Sequence, residues 1–433
     1  MEAPTLHPAS RVSLRPLAVH PEDGEFVVGR VDTGVFVSVP EIGARALGYL
    51  REGRSLAEVE AQLAAEDGSA VDVQAFAAEL LELGFIAAVD EVPIHSTDRT
   101  HNHLPWLKPC HVRWLFSRPI AAAYAALLTI AAVTVTLHPD VLPRVQDFFW
   151  SPRLSLVMAL NLLVGWLHAG GHELAHLVAA RAEGIPSHIR AGTRLQYLVL
   201  QTDVSGAWSL PRPARYRIYL AGVLWDLMVA SLLLLALAHA ESPEPVAGLL
   251  RAWILVIAFG LLGEFAFYMR TDIYFVFQDL LHSRNLFHEA QRLLLHRLRK
   301  LFPKSSERPD PLEGFTHSGR RKVILYAGLL IAGTTLSLGR YLLIGIPILI
   351  ELVTQAAEEL VSGYRAHDAT SIFDGGVALL VVVGMQAVFV AAFVQGHHRG
   401  LASVFATVTK NLIRHQPSHP DSALPDAPPV VAP

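Results

Sequence analysis

Charge is scarce in this 433-residue chain: only 17% of it is Asp, Glu, Lys or Arg, against about 25% in an ordinary soluble domain. That shortfall argues against a wholly soluble protein. Cysteine is scarcer still. Cys110 stands alone, which excludes an intramolecular disulfide framework and a four-cysteine metal site, so any metal has to be held by His, Asp and Glu. Positive charge is not in excess either. The formal net charge is −4, and without a basic field nucleic acid is a poor partner. The first 30 residues lack a basic start followed by an apolar run, so no cleavable signal peptide is expected. What the chain does have is apolar residues, 52% of the total, gathered into long runs after Ile120, while residues 1–116 have the mixture of a globular module. The expectation is a mainly α protein, a multi-pass membrane helix bundle preceded by a small α+β head that stays in the cytosol.

A helix crossing about 30 Å of hydrocarbon needs some 20 apolar residues. Six windows meet this: Ile120–Leu137, Leu154–Ala180, Ile218–Ala240, Val246–Met269, Val323–Leu352 and Val377–Gln395. The second and fifth are long enough to tilt or break, and Gly339-Arg340 and Pro347 leave the fifth readable as one kinked span or as a short re-entrant pair. Lys and Arg near span ends favour the cytoplasm. They crowd the second-to-third connection, from Arg181 to Arg217, and the fourth-to-fifth, from Arg270 to Lys322. Six crossings with the N-terminus inside fit that pattern, placing the protein in the cell membrane.

In the head, Phe26–Val31 and Val35–Val39 flank Asp32-Thr33-Gly34 and read as a β-hairpin. A helix from about Glu41 to Leu50 follows and is broken at Gly53. Ser55-Leu56-Ala57-Glu58 fits a capping box for a second helix, and Asp72 caps a third that carries Phe76, Leu80 and Leu83. Gly84-Phe85-Ile86 then returns as a strand, which completes a winged-helix pattern. Asp72, Glu79 and Glu82 on the third helix disfavour DNA. The segment Gly24–Val89 resembles the RiPP recognition element, a winged-helix family that binds the leaders of ribosomally made peptides. The hairpin, Gly43-Ala44-Arg45-Ala46-Leu47, Gly53–Val59 and Leu83-Gly84-Phe85-Ile86 carry the resemblance. It implies a peptide partner added as a strand to the hairpin edge. The expected order is an arm at 1–22, the winged-helix domain at 23–90, a linker at 91–116, a transmembrane domain at 117–415 and a disordered tail at 416–433. His101, His103, Cys110 and His111 invite a metal reading, but their spacing matches no metal site, and a solvated linker is expected there.

The sharpest signal is His172-Glu173-Leu174-Ala175-His176 inside an apolar helix. Histidines at i and i+4 share one helical face, so both rings can reach one Zn²⁺ while the adjacent Glu faces its open position. Three neighbouring polar side chains in a membrane span are costly without a role. A third ligand is required, and Asp272, just past the fourth window, is the expected one. His172 lies 18 residues into the second window, about 27 Å at 1.5 Å per residue, which puts it at the same cytoplasmic depth. Asp374 begins the last span on the opposite face and should be too far away.

Three blocks make the membrane body similar to the site-2-protease class of intramembrane zinc metalloproteases, within its peptide zinc metalloprotease branch. They are the H-E-x-x-H helix, Thr202–Pro211 running into Leu220-Ala221-Gly222-Val223-Leu224-Trp225-Asp226, and Asp272–Leu281. The resemblance implies Zn²⁺ on His172, His176 and Asp272. Glu173 would take a proton from water and pass it to the leaving amine of a peptide bond cut near the cytoplasmic membrane face. Two departures stand out. Where the family has A-G-P-x-x-N this chain ends in Asp226, a carboxylate that would oppose oxyanion charge unless protonated. Where the family has D-G it has Asp272-Ile273. Asp226, His168, Glu264 and Asp279 are candidates for contacts behind the ligands or, for Asp226, with substrate. Arg190, Arg194 and Trp208 either touch substrate or anchor the interface. The departures also motivate a second function: a zinc-bound but non-hydrolytic scaffold that escorts a precursor peptide to a modifying enzyme or exporter. A transporter would show repeat symmetry among its spans, and none is visible.

Overall fold

The computed structural model describes residues 5–68, 71–94, 102–283, 285–300, 310–313 and 315–414, with side chains through residue 397. The expected tail, His101 and most of the His95–His103 run lie outside them.

The chain opens with β1 (Val12–Leu14), β2 (Ala18–Glu22), β3 (Glu25–Arg30) and β4 (Val35–Val39), then α1 (Glu41–Arg51), α2 (Leu56–Asp67), α3 (Val73–Glu82), β5 (Ile86–Val89) and β6 (Val92–Pro93). β3 and β4 pair antiparallel as the expected hairpin, with Gly34 in the left-handed region that its turn requires. Ser55 and Glu58 form a reciprocal capping box at α2, and the Asp72 side chain accepts from Ala75 N at α3. Periodic apolar side chains on the three helices, among them Leu47, Leu50, Leu56, Val59, Leu63 and Leu80, close a core with Val28, Phe85 and Ile86. The stretch expected as an arm is instead part of this unit. β1 pairs with β5, β2 pairs with β3, and Val12 is buried in the core. The sheets run β1-β5-β6 and β2-β3-β4.

The expected linker is partly folded as well. After α4 (Pro109–Val112) come α5 (Arg118–Leu137), α6 (Leu154–Ala182), the antiparallel hairpin of β7 (His188–Arg194) and β8 (Tyr197–Asp203), α7 (Arg212–Tyr219), α8 (Ala221–His239), α9 (Glu244–Gly263), α10 (Asp272–Leu280), α11 (Leu286–Lys300), α12 (His317–Arg340), α13 (Ile346–Ala366) and α14 (Ala369–Arg414). His103 is tied to the start of β7, its N–H donating to Ser187 O at 3.0 Å and its Nδ1 accepting from Ile189 N at 3.1 Å.

Six helices are long and apolar enough to cross a membrane: α5, α6, α8, α9, the α12–α13 rod and α14. Three boundaries differ from expectation. The third window breaks at Leu220 into α7 and α8, and the fourth stops at Gly263. The fifth is not a re-entrant pair but one continuous helix of 50 residues, His317–Ala366, about 75 Å along its residues. Pro347 has no N–H for the carbonyl one turn back, and its ring crowds that carbonyl. The π-helical turn Tyr341–Gly345 widens the helix just before it, so the rod passes the proline without breaking.

Head and body meet at one buried ion cluster. The Arg215 guanidinium is fully buried and grips Glu22 of β2 with two prongs, at 3.0 and 2.6 Å, while its Nε lies 3.0 Å from Asp279 of α10. Trp208 stacks on the same guanidinium, 4.6 Å from carbon to ring centre. Burial works to raise the Glu22 carboxyl, but Arg215, His20 and Arg212 outweigh it and hold the group below its usual range. At Asp279 burial prevails and pushes the carboxyl up. Asp279, expected near the ligands, serves this joint instead.

Candidate metal centre

α6 presents His172 and His176 one turn apart, and α10 begins with Asp272 directly opposite. Nε2 of His172 lies 3.0 Å from Asp272 Oδ2, Nε2 of His176 lies 2.6 Å from it, and the two nitrogens are 3.2 Å apart. Ligands on one tetrahedral zinc sit roughly 3.3 Å from each other, so this triangle is close to a zinc-ligand face. The backs of the rings support the same assignment. His176 Nδ1 is 2.7 Å from the Ile218 carbonyl, which can only accept, so Nδ1 carries the hydrogen and Nε2 offers its lone pair. His172 Nδ1 is 3.0 Å from Asp226 Oδ1, an acceptor that fixes the ring in the same sense.

The convergence of the two rings depends on a missing side chain. A Cβ built on Gly222 at the start of α8 would fall 2.2 Å from His172 Nε2 and 2.4 Å from His176 Nε2. Only glycine lets α8 approach this closely where the imidazoles converge. At Asp272 burial opposes the charge, and the imidazoles of His176 and His172 override it, holding the carboxyl far below its usual range. Its backbone N–H donates to Glu264 at 2.8 Å, and burial together with the Asp272 charge pushes the Glu264 carboxyl up to about 7.

Glu173 points into the adjoining cavity with one oxygen committed. Oε2 accepts from the Thr202 N–H at 2.6 Å and from the Thr202 hydroxyl at 2.7 Å, so β8 fixes the carboxylate in place. Oε1 accepts from no described residue. Two cavities meet here. One, of about 470 Å³, is polar and bounded by Glu173, Thr202, Arg190, Trp208, Arg270 and Asp272. The other, of about 700 Å³, is lined by Met158, Leu162, Val199, Val256, Leu352 and Met385 and shares His172, Glu173, Arg194 and Glu264 with the first.

The structure thus brings His172, Glu173, His176 and Asp272 together, with Asp226, His168 and Glu264 behind them. Asp226 stands at the wall of the larger cavity, and its Oδ1 is taken by His172 and by His168 Nε2, at 3.0 and 2.9 Å. Ile273 lies in the first turn of α10 at negative φ, so the position needs no glycine; the strained backbone is at Arg270, φ 56°. Asp374 is far away, as expected, but buried at a task of its own. Its carboxylate accepts from the N–H groups of Leu154 and Ser155, each at 3.1 Å, and from the Ser155 hydroxyl, capping the far end of α6. Thr202 and Gly222 fall within the quoted motif blocks, yet their roles were not read there. Compared with known proteins, the chain matches no family model, no curated protein and no solved structure.

Proposed function

We propose that the chain is a membrane-embedded zinc endopeptidase whose head recruits its peptide substrate from the cytosol. The observation that carries this is the triangle of His172 Nε2, His176 Nε2 and Asp272 Oδ2 beside a carboxylate, Glu173, that is itself locked by Thr202. His172, His176 and Asp272 would hold Zn²⁺, which supplies a Lewis acid at the scissile carbonyl. Glu173 accepts a proton from water at Oε1 and delivers it to the departing amine. Asp226 and the Ile218 carbonyl keep the two imidazoles from turning. The apolar cavity takes the hydrophobic flank of the peptide and the polar cavity the other.

Two further features support the orientation and the head's role. The arginine-rich connections and the catalytic helix end lie on one side, which the charge bias assigns to the cytoplasm. The β2-β3-β4 order leaves β4 at a sheet edge, as a winged-helix peptide binder requires. A groove of about 850 Å³ runs from Phe36, Val37 and Ser38 of that strand to Trp208, which also walls the metal cavity.

The test pairs the full-length protein with Glu173→Gln in detergent, on quenched fluorescent peptides with an apolar half. Both proteins should bind one zinc, and only the first should hydrolyse, with a loss of about 10²–10⁴-fold in the variant. Zinc bound without hydrolysis in either would favour the escorting scaffold. Absence of zinc from both removes either reading.

A further inference from the structure

Arg270 stands two residues before Asp272 in a backbone region that a long side chain seldom adopts, φ 56° and ψ 54°. Backbone of this kind persists where the surroundings over-determine it. Here they do so through the side chain. The guanidinium carbon lies 5.8 Å from the Phe275 ring centre and 5.2 Å from that of Phe287, within reach of cation–π attraction to both. Both rings and the guanidinium wall the polar cavity beside the metal triangle. Among the described residues Arg270 makes no side-chain hydrogen bond or ion pair, in contrast to Arg190, whose guanidinium lies against the Gln201 amide and is 2.8 and 2.7 Å from its oxygen once that amide is turned to present it. Arg194, where the two cavities join, also lacks a carboxylate among the described residues.

We infer that Arg270 receives a carboxylate of the substrate, so that the peptides selected carry an anionic group on the flank lying in the polar cavity. The inference rests on the peptidase reading and adds a substrate class to it. A planar guanidinium with its donors unengaged matches a carboxylate in two-pronged fashion. The aromatic rings hold it ready, so little side-chain freedom is lost on binding. The carboxylate can belong to an Asp or Glu side chain or to the peptide's own C-terminus, and both present the same fork.

Three fluorescein-labelled probes separate the possibilities: Leu-Leu-Ala-Ala-Asp-Asp as the C-terminal amide, its Asn-Asn counterpart as the amide, and the Asn-Asn peptide with a free terminus. Binding is read by anisotropy on the zinc-loaded full-length Glu173→Gln protein, where nothing is turned over. A carboxylate-bearing probe should bind about tenfold or more tighter than the neutral amide, and whichever of the two gains names the source. Arg270→Asn, which tolerates the left-handed backbone, should shrink the gap to about twofold with zinc content unchanged. Equal binding of all three probes overturns the inference, as does a preference that survives Arg270→Asn. So does one that disappears on zinc removal while Arg270 is present, because the carboxylate would then be on the metal. Peptide hydrolysis by the unsubstituted protein without any preference refutes the carboxylate site alone. Preference without hydrolysis refutes the peptidase alone.

Discussion

Gly222→Ala is a small change with two effects of opposite sign. The new methyl carbon would sit 2.2 and 2.4 Å from the Nε2 atoms of His172 and His176, where ordinary contact begins at 3.4 Å. The His172 ring must therefore retreat by about 1.2 Å, several times the ~0.2 Å that metal-ligand distances tolerate. Loss of a mere supporting partner weakens metal sites by 10–100-fold, so displacing a direct donor should cost at least about 100-fold, or ~2.8 kcal/mol. Meanwhile alanine is the better helix former by about 1 kcal/mol, which offsets part of the overpacking cost of about 1–3 kcal/mol that the same clash imposes on the metal-free protein. At a zinc concentration of about 1,000 times the original dissociation constant, the metal stabilises the fold by about 4.1 kcal/mol; after a 100-fold loss the same concentration gives about 1.4 kcal/mol. Chelator competition followed by zinc analysis measures the affinity, and thermal unfolding in detergent with and without EDTA measures the increment. Unaltered zinc affinity in Gly222→Ala would refute the idea that the ion occupies the space this glycine leaves.

Asp374→Ala should destabilise the membrane body by about 2 kcal/mol or more, because it uncaps α6 and leaves the Leu154 and Ser155 N–H groups unpartnered; an unchanged denaturation midpoint would refute the capping role. Arg215→Met leaves Asp279 as a buried carboxylate without its arginine and takes the two-pronged partner from Glu22, which keeps only Arg212 and His20 nearby; it should cost about 3–5 kcal/mol, with much of it regained when Glu22→Gln and Asp279→Asn are added. The Glu22 carboxyl is lowered in the folded state, so its contribution is present above the ordinary value of 4.5 and is lost as pH falls through the lowered one. Acid titration of head–body cohesion, followed by limited proteolysis between residues 94 and 118, should show weakening below about pH 4.5 that Glu22→Gln abolishes.

The parts of this molecule legible in its sequence are those whose signal is local. His172 and His176 fall on one helical face whatever surrounds them, and Ser55 with Glu58 needs only its own first turn. Asp272 was reachable because its depth could be compared with that of His172. Thr202, Gly222 and Asp374 depend on which helices touch, and their partners lie 29, about 50 and 219 residues away. Likewise β1 and β2 are short and flanked or interrupted by Pro16 and Pro21, so only their pairing with β5 and β3 makes them strands. Asp279 looked like a companion of Asp272 from proximity along the chain, but helix α10 turns it toward Arg215. The 50-residue helix ran against local rules, since Pro347 ordinarily ends a helix and here a single widened turn absorbs it.

The clasp between Asp374 and the start of α6 bears on the order in which the protein is born. Ser155 leaves the ribosome 219 residues before the side chain that secures it. At about 5–20 residues per second that interval is roughly ten to forty seconds. Asp272 follows His172 by 100 residues, so during synthesis the third corner of the triangle arrives midway and the anchoring of the helix arrives last. The first turn of α6 can therefore take its final partners only after residue 374 has emerged, late in synthesis.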